Sequence, residues 1–259
     1  MNDRQESETR EARDGPPDDK AFTLTRAQAR AVDGYAIERA GVPGLVLMEN
    51  AAINVAGVVM DVLREHYVVD ADSARVAVVC GGGNNGGDGY AVARQLASFG
   101  LSPTVTAVSD PARLTGDAAA MHRAWLGVGG GVTPALETAA VEAAACGWAE
   151  AHVVVDAVLG TGYGEERGAM RPTAAAAVAA INQKTTGHVV AVDVPSGLDA
   201  DTGRPAAGSD AVRADVTVSF LAEKAGFAVP GAGGYLGRVV LADIGLPEAV
   251  WRAAAGGVE

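Results

Sequence analysis

The feature that most limits what this chain can fold into is an alternation that begins at residue 75. Short β-branched runs recur from there: RVAVVC (75–80), TVTAVS (104–109), HVVVDAVLG (152–160), HVVAVDVPSG (188–197), DVTVSFL (215–221) and GRVVLADIG (237–245). Alanine-rich, helix-like segments lie between them at 89–99, 114–126, 134–146 and 173–183. Alternating strands and helices build right-handed βαβ units, and so a mainly parallel sheet with helices on both faces. The runs are apolar on both sides, as a doubly covered sheet requires. The expected class is α/β, with no internal repeat and no second domain.

Two helices precede the alternation. In FTLTRAQARAVDGYAIERAG (22–41), Thr25 and Gln28 have capping-box spacing. Ala29, Val32, Ala36, Ile37 and Ala40 form an apolar stripe, and Gly41 suits a C-terminal cap. In GLVLMENAAINVAGVVMDVLREHY (44–67), Leu45, Met48, Ala52, Val55, Val59 and Leu63 recur at three- and four-residue steps. Glu49 and Asn50 interrupt that stripe and read as solvated or capping groups, with a role in a site as the other reading. Residues 1–20 carry seven acids and four bases and almost nothing apolar to bury, so a disordered acidic tail is expected. The expected organisation is a tail at 1–20, one domain at 21–250 and a C-terminal tail at 251–259.

Charge narrows the partners. The chain has 32 acidic and 20 basic residues, a net charge of −12, and the N-terminal 20 residues account for only −3 of it. An acidic domain argues against nucleic-acid binding through phosphate neutralisation. Cys80 and Cys146 are too few for a disulfide framework, which makes a reducing cytoplasm the default. No unbroken apolar window of 18 residues is present and the N-terminus is charged, so neither a membrane span nor a signal peptide is expected.

Ligands of open α/β sheets bind outside the carboxyl ends of the strands. Three loops there carry polar groups. The first, GGGNNGGD (81–88), holds Asn84, Asn85 and Asp88, with Gly86 and Gly87. Gly81, Gly83 and Gly86 match the dinucleotide fingerprint, and Asp110 lies about 20 residues further on. Asp88, expected in the first turn of the next helix, would suit the helix dipole but repel a phosphate, unlike a redox-cofactor site. The second, DAVLGTGYGEERG (156–168), holds Asp156, flexible Gly160, Gly162 and Gly164, the Thr161 hydroxyl and a Tyr163 ring able to stack on a flat ligand. The third, DVPSG (193–197), offers Asp193 and Ser196 without a nucleophile-elbow frame. Lys224 follows a strand and should reach the same edge. His66, His122, His152 and His188 do not cluster along the chain, which argues against a zinc site or a serine triad.

These segments together resemble the NAD(P)H-hydrate epimerases, the YjeF N-terminal-domain family. The matches are LMENA (47–51), GGGNNGGDGYAVAR (81–94), VVVDAVLGTG (153–162), VAVDVPSGLDADTG (190–203) and a K-x-G-x-x-x-P-G stretch from Lys224 that runs on to DIG at 243–245. They span about residues 23–247, with Gly82 and Ala52 as small departures from the family's usual proline and glycine. The resemblance implies a Rossmann-like αβα sandwich, often a homodimer, that interconverts the S and R forms of hydrated NADH and NADPH (NADHX and NADPHX). A partner dehydratase using ATP or ADP then repairs one epimer, and some members carry it as a C-terminal domain, which is not expected here. The family's substrate contacts map onto Asn84, Asn85, Gly86, Gly87 and Asp88, onto Gly160, Thr161, Gly162, Tyr163, Gly164, Glu165 and Glu166, and onto Asp193. Its potassium ligands map onto Asn85, Asp156 and Ser196.

Asp193 is the expected proton carrier, with Lys224 as an orienting or proton-transfer group. Two rivals stand beside this reading: a non-catalytic binding or scaffold member of the fold, and an NAD-dependent oxidoreductase suggested by the glycine fingerprint alone.

Overall fold

The computed structural model describes residues 22–164, 166, 168–184, 186–206 and 208–257. The expected N-terminal tail and Glu165 lie outside the described residues. In chain order the elements are β1 (Thr23–Leu24), α1 (Arg26–Glu38), α2 (Gly44–His66), β2 (Val76–Cys80), α3 (Asn84–Ser98), β3 (Thr104–Ala107), α4 (Gly116–Gly127), β4 (Thr133–Pro134), α5 (Thr138–Ala149), β5 (Val153–Ala157), α6 (Pro172–Asn182), β6 (His188–Val192), β7 (Val216–Phe220), β8 (Glu223–Lys224), α7 (Gly233–Leu236), β9 (Arg238–Ala242) and α8 (Glu248–Gly256).

The strand alternation becomes a parallel sheet in the order β4-β3-β2-β5-β6-β7-β9. Successive side chains of a strand point to opposite faces, and the valines divide accordingly. Val76, Val78 and Cys80 join Val153, Val155, Val190 and Val192 in a core beneath α2, α3 and α4. Ala77, Val79, Val154, Val189 and Ala191 face the other way, against Val141 and Trp148 of α5 and Val178 and Ile181 of α6. Each buried valine is worth about 1.5–3 kcal/mol relative to exposure, so stability concentrates in the central strands. The molecule is the expected αβα sandwich. α2 is long and apolar enough by composition to cross a membrane, but Met48, Ala52, Val55, Val59 and Val62 are buried in the first core, as in an interior helix of the sandwich.

The chain leaves β2 for β3 and β4 on one side, then returns to β5, which pairs β2 on the other side. The reversal places a topological switch point between the ends of β2 and β5, where a crevice opens in such sheets.

Several expectations shift. The helix expected at 89–99 begins at Asn84, capped by Gly83, so most of the supposed first loop is helix. The short β1–β8 pair was not foreseen; its parallel register sets Leu24 beside Lys224. The boundary expected at 250/251 falls inside α8, whose Trp251 and Ala255 are buried and whose Trp251 ring meets Phe22 edge-on at 5.4 Å. Three histidines separated in sequence meet in space. The His66 and His188 rings stack at 4.2 Å, and the Tyr67 hydroxyl lies 2.8 Å from His188 Nδ1 and donates to the His152 carbonyl at 3.0 Å. They sit where strands begin, the edge opposite the crevice, and no metal-holding group of histidine, cysteine and carboxylates occurs among the described residues.

Candidate functional site

The glycines of 81–89 serve close packing at the crevice. A Cβ at Gly81 would lie 1.9 Å from the Val158 carbonyl, so only glycine lets the β2 and β5 loops touch. A Cβ at Gly86 would meet the Gly81 carbonyl at 2.1 Å, and one at Gly89 would lie 2.7 Å from both Ala157 and Cys80. Gly87 is hemmed in by Ala118 and Met48. The first turn of α3 is thereby pressed onto the strand ends, with Asn84 exposed and Asn85 and Asp88 buried. Asp88 sits a full turn inside α3, so the first-turn dipole account of it is wrong. Burial pushes its carboxyl well above the ordinary range, with Asp193 and Asp33 adding to the shift.

At the ends of β5 and β6, Asp156 and Ser196 are fully buried. The Ser196 hydroxyl and backbone N–H donate to the two Asp156 oxygens at 2.6 and 2.8 Å, and the Leu159 N–H donates to Ser196 Oγ at 2.8 Å. Burial pushes the Asp156 carboxyl up to about 6, with the Ser196 and Val158 hydrogen bonds opposing. No cationic side chain pairs with Asp156 among the described residues. Asn85 is buried with its amide nitrogen unpartnered and its Oδ1 turned towards Gly160, 3.0 Å from where a Cβ would stand. A buried carboxylate without a counter-charge, with neutral hydroxyl and amide oxygens contributed by neighbouring elements, fits a hard monovalent cation.

Asp193 follows β6 in a left-handed backbone conformation, φ 65°. Aspartate tolerates that region better than most residues, and such strain gathers at functional sites. It brings the carboxylate to Lys224, whose Nζ stands 2.8 Å from Asp193 Oδ1 and donates to Ser219 Oγ at 2.8 Å. The contact is an ion pair rather than an aligned hydrogen bond, since Oδ1 makes none. Both residues are buried. The reach expected of Lys224 is therefore real, and its partner is Asp193.

The second loop is built differently. Tyr163 turns back from Gly160, is buried and donates its hydroxyl to the Gly168 carbonyl at 3.2 Å, so its ring is covered rather than offered for stacking. Thr161 is half-buried and Gly162 exposed. Glu166 does not reach into the crevice unaccompanied; its carboxylate takes both terminal nitrogens of Arg26, at 2.8 and 2.6 Å.

Sequence reasoning missed Arg26 and Asp33. Arg26 opens α1, where the helix dipole disfavours a cation, and that misplacement was the available signal. Asp33 lies seven residues on, on the same face of the helix. It is exposed at its surface, yet protein crowds its carboxyl and pushes it up to about 6, with Asp193 adding and Lys224 opposing. Glu49 and Asn50 prove to be ties. Glu49 pairs with Arg94 and Gln95 of α3, and Asn50 donates to the Ile244 carbonyl at 2.9 Å. Three of the matching motifs thus hold one another in place.

Residues 44–226 match the family described as YjeF-related protein N-terminus. The NAD(P)H-hydrate epimerase of Pirellula staleyi is 41% identical over 226 residues, covering 87% of this chain and 93% of that protein. The NAD(P)H-hydrate epimerase of Limosilactobacillus fermentum is 35% identical, over 85% of this chain and 95% of its own. The bifunctional NAD(P)H-hydrate repair enzyme Nnr of Moorella thermoacetica is 35% identical over 88% of this chain, which spans 41% of that longer protein. Among solved structures, yeast ynu0 superposes with a TM-score of 0.65 at 25% identity, covering 79% of this chain and 82% of that one. With a parallel αβα sandwich, a switch point between β2 and β5 and family motifs that α2 ties to one another, the chain belongs to the family of YjeF-related N-terminal domains.

Proposed function

We propose that this chain is an NAD(P)H-hydrate epimerase, an isomerase that interconverts the S and R forms of hydrated NADH and NADPH. The observation that carries the reading is the buried Lys224–Asp193 pair, 2.8 Å apart at the strand edge that also holds the glycine-packed start of α3. The hydrated ring carbon bears a hydroxyl beside the ring nitrogen. Protonation of that hydroxyl breaks the C–O bond and releases water, leaving a cation stabilised by the nitrogen. Water then adds to the opposite face and gives up a proton. Asp193 delivers the proton and retrieves it, and Lys224, 2.8 Å away, orients its carboxyl group. No redox change is needed. The exposed Asn84 side chain, the backbone of Gly86 and Gly87 and the Asp88 carboxyl orient the dinucleotide, together with the Gly160–Gly164 backbone.

Asn85, Asp156 and Ser196 would hold one potassium ion, which would neutralise the buried Asp156 carboxylate and fix the β5 and β6 loops. An ADP- or ATP-dependent dehydratase is the functional partner, and a homodimer in the cytoplasm is the expected setting. The test is incubation of the purified chain with one epimer of NADHX, followed by chromatography. Interconversion well above the uncatalysed background is expected. Its absence in the folded protein with potassium present would overturn the proposal.

A further inference from the structure

We infer that Arg26 is a positioning residue for this site: through Thr161 and Glu166 it clamps the Gly160–Gly164 segment in the shape that binds substrate. The inference rests on the reading above, in which that loop contacts the hydrated dinucleotide. Arg26 is 5% exposed and comes from α1, outside the strand-end loops. Its Nε donates to the Thr161 carbonyl at 2.8 Å, at one end of the loop. Its two terminal nitrogens take the Glu166 carboxylate in a two-pronged pair at the other end. The planar fork of arginine suits that pairing, and lysine cannot reproduce it. Asp199, buried and 3.6 Å from the guanidinium, completes the charge balance from the loop after β6.

Two further features commit α1 to this arrangement. The Arg26 backbone N–H donates to Asp201 at 2.7 Å, and the Leu24–Lys224 register fixes the strand that leads into the helix. Gly164 makes room for the clamp, because a Cβ there would stand 1.8 Å from Arg26 Nη1. A loop with glycine at 160, 162 and 164 has little conformational preference of its own. One buried guanidinium gripping both its ends supplies what its backbone lacks, and it does so from the same element that carries Asp33 towards Asp193 and Lys224.

The experiment compares wild type with Arg26→Gln, Arg26→Lys and Glu166→Ala. Steady-state epimerisation and amide hydrogen exchange at Gly162–Gly164 are measured for each. Arg26→Gln should raise KM about tenfold while kcat stays within about threefold, the signature of lost binding rather than lost chemistry. Arg26→Lys should recover only part of that loss. Loop amides should exchange faster in Arg26→Gln and in Glu166→Ala, with or without activity in hand. Unchanged exchange in both variants overturns the clamp. Faster exchange with an unchanged KM overturns its role in substrate binding. Should Arg26→Gln fail to fold, Glu166→Ala, altered at an exposed carboxylate, carries the same two readouts. A wild type that does not interconvert epimers defeats the functional reading, and the exchange data then decide the clamp by themselves.

Discussion

The segments 81–89 and 160–164 look alike as strings, both glycine-rich and both directly after strands of the switch point. In the first, glycine removes volume. Gly81, Gly86 and Gly89 each stand where a Cβ would collide with backbone or a core side chain, and α3 is locked against β2 and β5. In the second, Gly162 faces open space, and order is imported through Arg26. One edge is rigid by packing and the other by a tether. The proton-moving pair proposed above, Asp193 and Lys224, belongs to neither segment and is fixed by its own burial and its 2.8 Å contact.

The largest expected effect separates chemistry at the Asp193–Lys224 pair from binding at the packed segment. Asp193→Asn keeps the shape but removes the titratable group, so kcat should fall by at least about a hundredfold, with dinucleotide affinity changed only a few-fold. Asp88→Asn should do the opposite, weakening binding more than turnover. Near-normal turnover by Asp193→Asn at saturating hydrate would move the chemistry to Lys224 or Asp88.

Next is glycine itself. Gly89→Ala forces a methyl into contact with Ala157 and Cys80, and overpacking of this kind costs about 1–3 kcal/mol. Gly162→Ala should change stability by less than about 0.5 kcal/mol. Denaturant midpoints of the pair measure the contrast, and equal losses would break it.

The cation site gives a smaller, conditional effect. Potassium at ten times its Kd should stabilise the fold by about 1.4 kcal/mol, and Asp156→Asn should blunt the response. Equal stabilisation by tetramethylammonium at the same ionic strength would reduce it to general screening of an acidic protein.

The smallest effect lies at the far edge. Burial chiefly holds His188 below its ordinary value of 6.5, with His66 and Lys184 adding to the shift and Asp215 opposing. The unfolded chain therefore binds more protons just below pH 6.5. The stability His188 contributes as a neutral ring is present above that pH and is lost as pH falls through its lower folded value. His188→Asn should flatten the melting temperature between pH 7 and 5.5 by on the order of 1–2 °C. An unchanged slope would mean that His188 does not titrate with folding.

Much of this molecule was legible from local pattern. The period of β-branched runs gave the parallel sheet, and the rule that ligands sit at strand ends selected Asp156, Asp193 and Ser196. Asp88 was found but misplaced, because a glycine-rich string reads as loop by propensity while tertiary contact can enforce a helix through it. Tyr163 was found but mis-aimed, since nothing local shows whether a ring points into a crevice or back under its own loop.

What the sequence by itself determined is the layered α/β class, the two faces of each central strand and the chemistry available at the strand ends, all of which follow from residue type and short-range periodicity. Only the tertiary structure decided that α3 begins at Asn84, that Lys224 meets Asp193, that Glu49 and Asn50 are ties and that His66 stacks on His188. It also joined Arg26 to Glu166, 140 residues away along the chain. The physical reason is range: periodicity reports which side of an element is buried, whereas a pairing between distant side chains exists only once the sheet order and helix packing have set the distance between them.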